Sequence, residues 1–168
     1  MNLILIRLSD VRLSDIVALH NDPDVLRHMP LAGAVFDEAA CRQWVEGKEH
    51  QWVRNGYGPW GLQIDGEFAG WGGFQDERGD ADFALVLSPR HWGHGRAIYQ
   101  VFIKMAFEDL GLASITALLP PSRRRANGLR RLGFEADGVV DIAGAVFQRY
   151  RLWAPAYVAE HVAKNTPR

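Results

Sequence analysis

The spacing of hydrophobic residues changes once along the chain, and the change divides the predicted elements into two groups. Before the turn signal NGYGP, apolar residues recur at helical spacing in LSDIVALH and in DEAACRQWVEGKEHQWV, where Asp37 is a candidate N-cap. The opening LILIRL favours a strand, and NDPDVLRHMP predicts a short helix that ends before Pro30. The N-terminal third is therefore predicted to be one strand followed by helices.

After that turn, the apolar runs have the length of strands. PWGLQID, EFAGWGGF and ADFALVL are joined by short turns and predict an antiparallel meander. The amphipathic stretch IYQVFIKMAFEDL and the strand ASITALL complete a βαβ unit, which makes ADFALVL and ASITALL parallel neighbours. SRRRANGLRRLGF predicts a short helix, and VVDIAG with AVFQRYRLW predicts a closing hairpin. The fold class is α/β (α+β), with a mixed central sheet of six to seven strands and helices on both faces.

Composition limits the class of protein without naming a function. The 168 residues are 48% hydrophobic and 23% charged, which predicts one globular domain over residues 1–154 and a tail or short helix over 155–168. The opening MNLILIRLSD lacks a cationic n-region, so it is interpreted as a strand and not as a signal peptide. A lone cysteine, Cys41, excludes an intrachain disulfide and favours a cytoplasmic location. The formal net charge of −1 predicts no nucleic-acid or membrane partner.

The segment SPRHWGHGRA stands where a predicted strand gives way to a helix. A helix N-terminus approached through glycines forms a site for an anion, usually a phosphate, and Gly93 and Gly95 remove side chains that would block it. A dinucleotide fingerprint is disfavoured because Ile98 stands at its third glycine position. A Walker loop is disfavoured because Arg96 and Ala97 replace its Lys and Ser/Thr.

The residues RHWGHGRA resemble R/Q-x-x-G-x-G/A, the pyrophosphate loop of the GNAT acetyltransferases. Further segments, NDPDVLRHMP, NGYGPWGLQIDGEFAGWGGF and RRLGFE, resemble the branch of that family that acetylates the N-termini of ribosomal proteins. On these motifs the chain is identified as a member from about residue 3 to about residue 153.

The resemblance implies a fold, a cosubstrate and a reaction. It implies splayed fourth and fifth strands, acetyl-CoA as cosubstrate with no metal, and direct acetyl transfer in a ternary complex. The acceptor is a primary amine, either a protein N-terminus or a small molecule. The backbone of Val86 and Leu87 is implied to pair with the pantetheine arm. The implied coenzyme-binding residues are Val86, Leu87, Arg90, His91, Trp92, Gly93, His94, Gly95, Arg96, Ala97, Ser122, Arg123 and Arg124.

Asp82 is the candidate general base. Strand alternation places it on one face with Ala84 and Val86, and it stands where related enzymes carry a glutamate, seven residues before Pro89. Its side chain is one methylene shorter, so it is expected to act through a water molecule. The alternative is an edge-of-strand aspartate in a turn.

The general acid is absent from both places where relatives carry it. The usual serine position is Arg125, and the usual tyrosine position is Leu129. Either Ser122 replaces them as the catalytic acid, or the thiolate leaves without help because it is a good leaving group near neutral pH.

Several other polar and aromatic residues have two interpretations each. The arginine run over residues 123–131 is either a solvated helix face or a contact with coenzyme phosphates. His91 and His94 are expected beside the phosphates and not as metal ligands. Lys48 either extends its charge to solvent or lies at the acceptor mouth, and Trp71 either fills the core or shapes the acceptor pocket. The same pair of interpretations applies to Trp60, while His20 and His28 are expected in packing or at the surface.

Two other functions remain open from the sequence. One is an acyl-CoA sensor that binds the coenzyme without turnover, since the usual acid is missing. The other is an RNA-binding protein that uses the arginine run, which the net charge disfavours. A homodimer is left open for the predicted acetyltransferase.

Overall fold

A computed structural model describes residues 1–33, 35–123 and 126–165. Among these residues, seven strands form one mixed sheet in the order β1-β2-β3-β4-β5-β7-β6. The strands are β1 Leu3–Arg7, β2 Pro59–Ile64, β3 Glu67–Glu77, β4 Asp80–Leu87, β5 Ser114–Leu119, β6 Glu135–Ile142 and β7 Ala145–Trp153. The helices are α1 Leu13–Asn21, α2 Pro23–Leu26, α3 Glu38–Asn55, α4 Gly95–Lys104, α5 Asn127–Arg131 and α6 Pro155–Asn165. The predicted fold class is confirmed.

Three of the antiparallel connections are two-residue turns with both residues at positive φ. The φ angles are 50° and 85° at Asp65-Gly66, 53° and 90° at Arg78-Gly79, and 49° and 83° at Ala143-Gly144. Positive φ at both positions matches the right-handed twist of the flanking strands. The predicted meander and closing hairpin are confirmed, although β3 and β6 extend further than the apolar runs suggested.

The sheet opens between its two central strands. Within the described residues, β4 and β5 are parallel and share one paired position, Asp82 opposite Thr116. On its other side β4 is paired with β3 along its whole length. Gly70 allows that close approach, because at its φ of 148° an added Cβ would lie 2.0 Å from the Val86 carbonyl oxygen. The expected splay of the fourth and fifth strands is confirmed.

Helices cover both faces of the sheet, and each face has its own hydrophobic cluster. One cluster joins the sheet to α4 and α5 and includes Phe74, Phe102 and Phe134. The other joins the sheet to α1 and α3 and includes Ile16 and Trp71. These layers fix the two walls of the opening between β4 and β5.

The C-terminal elements differ in detail from their sequence patterns. The helical stretch after the glycine loop continues past α4 as a π-helical turn, Met105–Asp109. The arginine-rich helix is short, and Ala126 and Leu129 are buried while Leu132 is half-buried. Residues 155–165 form a helix and not a loose tail. No helix in the described ranges is both long and apolar enough to cross a bilayer.

Candidate functional site

A cleft of about 370 Å³ occupies the opening between β4 and β5. Its base is β4, from Asp82 to Leu87, and its far wall is the end of β5 at Leu118–Pro120. It is also lined by Val25, His28, Met29, Leu31, Gln75, Glu77, Trp92, Gly95, Tyr99, Arg123, Ile142 and Phe147. A largely apolar cleft with a few convergent polar groups is the usual form of a small-molecule site.

Asp82 lies at the closed end of this cleft. Its side chain is 7% exposed, and its Oδ1 accepts a hydrogen bond of 2.8 Å from the Thr116 hydroxyl. Burial raises the pKa of Asp82 to about 7, against the smaller lowering effect of the Thr116 hydrogen bond. The residue is therefore a buried cleft carboxyl and not an exposed turn aspartate.

Gln75 and Glu77 on β3 line the cleft on the side of α3. Gln75 is directly opposite Asp82 in the β3–β4 register. Lys48 reaches it from α3 and donates a hydrogen bond to Gln75 Oε1. The Lys48 ammonium also lies 5.4 Å from the Trp44 ring centroid and 5.0 Å from that of Trp71. Lys48 therefore points inward and not to solvent.

The glycine loop forms the other end of the cleft. Residues 89–94 make a 3-10 turn, α4 begins at Gly95, and no side chain among the described residues caps it. Neither Gly93 nor Gly95 has a positive φ, and a Cβ at either would meet nothing within 4 Å. The glycines are therefore not required by the backbone conformation. They leave open space beside a helix N-terminus, which fits an approaching anion.

The predicted coenzyme-binding residues divide between the cleft and its surroundings. Those that line the cleft are Val86, Leu87, Trp92, Gly95 and Arg123. Those outside its lining are Arg90, His91, Gly93, His94, Arg96, Ala97 and Ser122. Arg124 and Arg125 fall outside the described residues.

Three loop side chains have other partners. Arg90 Nη2 lies 3.3 Å from Glu67 and lines a separate depression. His91 is buried, and its Nδ1 lies 2.6 Å from Ser88 Oγ. The Trp92 indole donates a 2.9 Å hydrogen bond to the Leu87 carbonyl oxygen. The described residues contain no group of three or more His, Cys, Asp or Glu side chains that could hold a metal ion.

Ser122 stands beside the cleft, hydrogen-bonded to a residue that lines it. Its Oγ lies 2.8 Å from His28 Nδ1, and the His28 ring is 6.1 Å from that of Trp92. These contacts join the turn after α2, the glycine loop and the segment after β5 at the same end of the cleft. Leu129, at the position where relatives carry tyrosine, is buried in the core and 6% exposed.

Sequence reasoning missed four residues with functional potential: Thr116, Gln75, His28 and Tyr99. Tyr99 lines the cleft with its ring 4.6 Å from that of Phe83, and burial raises its pKa, so the phenol stays protonated. For Gln75, the alternation of β3 continued past Phe74 would have given its face. Thr116 and His28 carried no such signal, because their places depend on strand register and helix packing. Of the two interpretations of His20, packing or surface, the structure shows packing, since His20 is 4% exposed and accepts a 3.0 Å hydrogen bond from Trp71 Nε1.

Comparisons with known proteins identify the family of this chain. The sequence model of the acetyltransferase (GNAT) domain family matches residues 2–135. A curated relative, the FsC-acetyl coenzyme A-N(2)-transacetylase of Aspergillus fumigatus, is 30% identical over 117 residues, which is 58% of this chain and 46% of that protein. The chain thus spans about half the length of this relative.

Solved structures share the fold at low sequence identity. A GNAT-family acetyltransferase from Bordetella pertussis is 20% identical, with a TM-score of 0.70, over 89% of this chain and 94% of that one. Spermidine N-acetyltransferase from Vibrio cholerae, in complex with CoA and spermine, is 15% identical, with a TM-score of 0.72, over 94% and 97%. The family model and the shared fold place this chain in the class of acetyltransferase domains. The chain belongs to the acetyltransferase (GNAT) domain family.

Proposed function

We propose that this protein transfers an acetyl group from acetyl-CoA to a primary amine, directly and with both substrates bound. The observation that carries the proposal is the position of Asp82, a buried carboxyl that lines the cleft where β4 and β5 separate. The family assignment supports acetyl transfer, with acetyl-CoA as the source of an activated thioester.

Asp82 is the proposed general base. An ammonium must lose a proton before its nitrogen can attack, and a carboxylate with a pKa near the working pH removes it most effectively. The pKa of Asp82 at about 7 meets that requirement. Its short side chain is expected to act through one water molecule, and Thr116 holds its Oδ1.

The coenzyme end of the cleft fits a diphosphate. The N-terminus of α4 carries no side-chain cap, Gly93 and Gly95 leave open space, and Arg123 lines the cleft nearby. Backbone N–H groups and a guanidinium are strong phosphate partners. Residues 93–97 and Arg123 would hold the phosphates, and the β4 backbone at Val86 and Leu87 would pair with the pantetheine arm.

Ser122 is the proposed proton donor to the departing thiolate. Its hydrogen bond to His28 fixes its hydroxyl beside the cleft. A thiolate also leaves readily near neutral pH. Ser122→Ala is therefore expected to slow transfer less than a change at Asp82 does.

The acceptor is either a protein N-terminus or a small primary amine. The motifs shared with the branch that acetylates ribosomal proteins support the first, and the polyamine acetyltransferase fold of Vibrio cholerae supports the second. A cytoplasmic location and a homodimer stay predictions, which cell fractionation and size-exclusion chromatography test.

Asp82→Asn tests the catalytic proposal. It is expected to lower kcat/KM by about 100-fold or more, because general base catalysis contributes about 10²–10⁴-fold. Asp76→Asn, an exposed carboxylate outside the cleft, is the matched control and should leave the rate unchanged. Equal rates for Asp82→Asn and the unaltered protein at every pH would remove the base assignment.

Thermal unfolding with CoA, NAD and ATP tests the coenzyme site. A ligand at about 100 times its dissociation constant stabilises a protein by about 2.7 kcal/mol, so CoA should raise Tm by several degrees and the other nucleotides should not. Stabilisation by CoA without thiol release for any amine would indicate a sensor. No stabilisation at millimolar CoA would overturn the transferase proposal.

A further inference from the structure

Gln75 faces Asp82 across the β3–β4 ladder. The two residues are register partners, so their side chains leave the same face of the sheet with Cβ atoms about 5 Å apart. Both line the cleft, and Gln75 is half-buried. A molecule whose amine lies near Asp82 therefore has the Gln75 carboxamide as a close neighbour.

Lys48 fixes which end of that carboxamide faces the cleft. An ammonium has hydrogen-bond donors only, so the Gln75 atom that it contacts must be the oxygen. The amide nitrogen, with its two N–H groups, remains. Across the described ranges no protein group accepts a hydrogen bond from Gln75 Nε2. Gln75 therefore offers donors to a molecule bound in the cleft.

The charge behind Gln75 is positive. Within the part of the chain that the structure describes, no carboxylate lies within ion-pair distance of Lys48, whose ammonium rests against two indole rings. Burial lowers its pKa to about 8, which leaves it mostly protonated at pH 7. Glu77 also lines the cleft, two residues further along β3, with Arg78 4.0 Å away. The amine is thus attracted by Asp82 and Glu77, while the cation and N–H groups at Gln75 favour an oxygen.

We propose that Gln75, oriented by Lys48, selects acceptors that carry a carbonyl or carboxylate oxygen on the carbon next to the amine-bearing carbon. This inference rests on the proposed function. Covalent geometry holds the nitrogen and oxygen of such an α-aminoacyl group about 3 Å apart. The nitrogen can therefore lie near the base Asp82 while the oxygen accepts a hydrogen bond from Gln75 on the adjacent strand. A plain alkylamine or a polyamine leaves the Gln75 N–H groups without a partner once it displaces water, and an unpaired donor is costly.

Four amines test the inference in the unaltered protein: L-leucine, L-leucinamide, isoamylamine and spermidine. The first three share one alkyl chain and differ only in the group next to the amine-bearing carbon. We expect kcat/KM for leucinamide, leucine or both to exceed that for isoamylamine by about tenfold or more. Leucine and leucinamide distinguish a free amino acid from a peptide-like acceptor.

Variants at Gln75 test whether this residue sets the preference. Gln75→Met removes the donors at similar volume and is expected to reduce the preference to about threefold or less. Gln75→Glu replaces donors by a carboxylate and is expected to reverse it towards spermidine. Gln63→Met, the same change at a half-buried site on β2 away from the cleft, is the control and should keep the full ratio. Stabilisation by CoA checks that each variant is folded.

Lys48 acts through Gln75, so its variants should move the same ratio. Lys48→Met lets the carboxamide turn and is expected to lower the preference for leucinamide. Lys48→Arg keeps a group with donors only and is expected to retain it. A purely structural role for Lys48 would lower activity with all amines equally and would leave the ratio unchanged, which would overturn this part of the inference.

Two results would overturn the inference while leaving the proposed function intact. One is use of isoamylamine by the unaltered protein with a kcat/KM equal to those for both leucine and leucinamide. The other is an unchanged ratio in folded Gln75→Met. No thiol release with any of the four amines or with a peptide that carries a free N-terminus, with CoA still bound, would instead overturn the transferase proposal and this inference together.

Discussion

Asp82 and Thr116 make up the side-chain pair at which β4 and β5 meet. Asp82 is 7% exposed and Thr116 1% exposed, and the hydroxyl donates to the carboxyl. Burial favours the neutral acid, whereas the hydrogen bond favours the carboxylate. The balance between the two sets the pH at which this carboxyl can accept a proton.

Thr116→Val is expected to move the acidic limb of the pH profile upward. Loss of the donor raises the pKa of Asp82 further, because one interaction that favours its ionised form disappears. Since the base acts when ionised, kcat/KM should fall at a pH higher by about 0.5–1 unit. The pH dependence of kcat/KM is the measurement. Thr116→Ser keeps the hydroxyl and should keep the profile, and identical profiles for both variants would exclude a positioning role.

The sequence predicted the positions of some site residues but not their hydrogen-bond partners. Alternation along ADFALVL gave the face of Asp82, because a strand period needs no tertiary information. The partner Thr116 lies 34 positions away and is brought there by register. Ser122 and His28 are 94 positions apart, and their hydrogen bond depends on how α2 packs.

At the scale of elements, Arg151 links several strands near the position where β4 and β5 are still paired. From β7 it donates to both carboxylate oxygens of Asp80 on β4, at 2.9 and 3.0 Å. It also donates to Asp137 on β6, at 2.8 Å, and to Ser114 on β5, at 2.9 Å. These contacts of Arg151 oppose the separation of β4 and β5 at Asp80, two residues before Asp82.

Arg151→Met is expected to lower the free energy of unfolding by about 3 kcal/mol at pH 7, because it leaves the half-buried carboxylate of Asp80 without its ion-pair partner, whereas Asp137 keeps Arg149. The hydrogen bond to Arg151 lowers the pKa of Asp80 below its usual value. Stability from this pair is therefore present above about pH 4 and lost as pH falls through the lowered pKa. Urea unfolding at pH 7 and pH 3 measures both effects.

An exposed ion pair provides the control for the stability lost in Arg151→Met. Arg42→Met breaks a contact with Glu38 in which both side chains are more than 60% exposed, and it should cost less than about 0.5 kcal/mol. Equal costs for the two variants would show that Arg151 is only a surface charge.

The sequence predicted the ends of strands well where the turn residues have a strong conformational preference. The residue types of Asp65-Gly66, between two apolar runs, by themselves predict a tight turn. The end of β3 was set too early because Gln75, Asp76 and Glu77 interrupt its apolar pattern. Gln75 and Glu77 line the cleft, so the polar residues that hid the end of β3 from the sequence pattern are residues of the candidate site.

For the molecule as a whole, the two hydrophobic clusters carry the fold, and a buried histidine packs against one of them. His20 is packed between Phe36 and Trp44, with ring centroids at 4.3 and 4.7 Å. Burial, assisted by the charge of Lys48, lowers its pKa to about 4. The imidazole is therefore neutral in the folded protein over most of the pH range.

His20→Gln is expected to flatten the loss of stability in mild acid. The lowered pKa means that His20 contributes stability above about pH 6.5, which is lost as pH falls towards 4, by about 3 kcal/mol. The raised pKa of Asp82 acts in the opposite direction, but both proteins contain it, so it cancels in their difference. Thermal unfolding from pH 7.5 to 4.5 measures this difference. His50→Gln, an exposed change on α3, should follow the unaltered protein, and a matching slope for His20→Gln would contradict the assignment.

The overall architecture was predictable because helix and strand periods and the βαβ rule constrain topology strongly. The lining of the cleft was not, because it combines residues from α2, β3, β4, α4, β5 and β7 whose proximity arises only after folding. The motif of the glycine loop predicted a coenzyme site at one end of the cleft, whereas the other end carried no comparable local pattern.

The divergence of β4 from β5 leaves main-chain groups in the middle of a sheet facing a gap. In deuterated buffer, those amides between Ala84 and Leu87 that point away from β3 should label faster than the paired amides of neighbouring strands, despite their central place. An extended ligand bearing its own amide groups would act as a surrogate strand between them and slow the labelling. Isotope uptake at these few positions would then report occupancy of the gap directly, with no need for a reaction to occur.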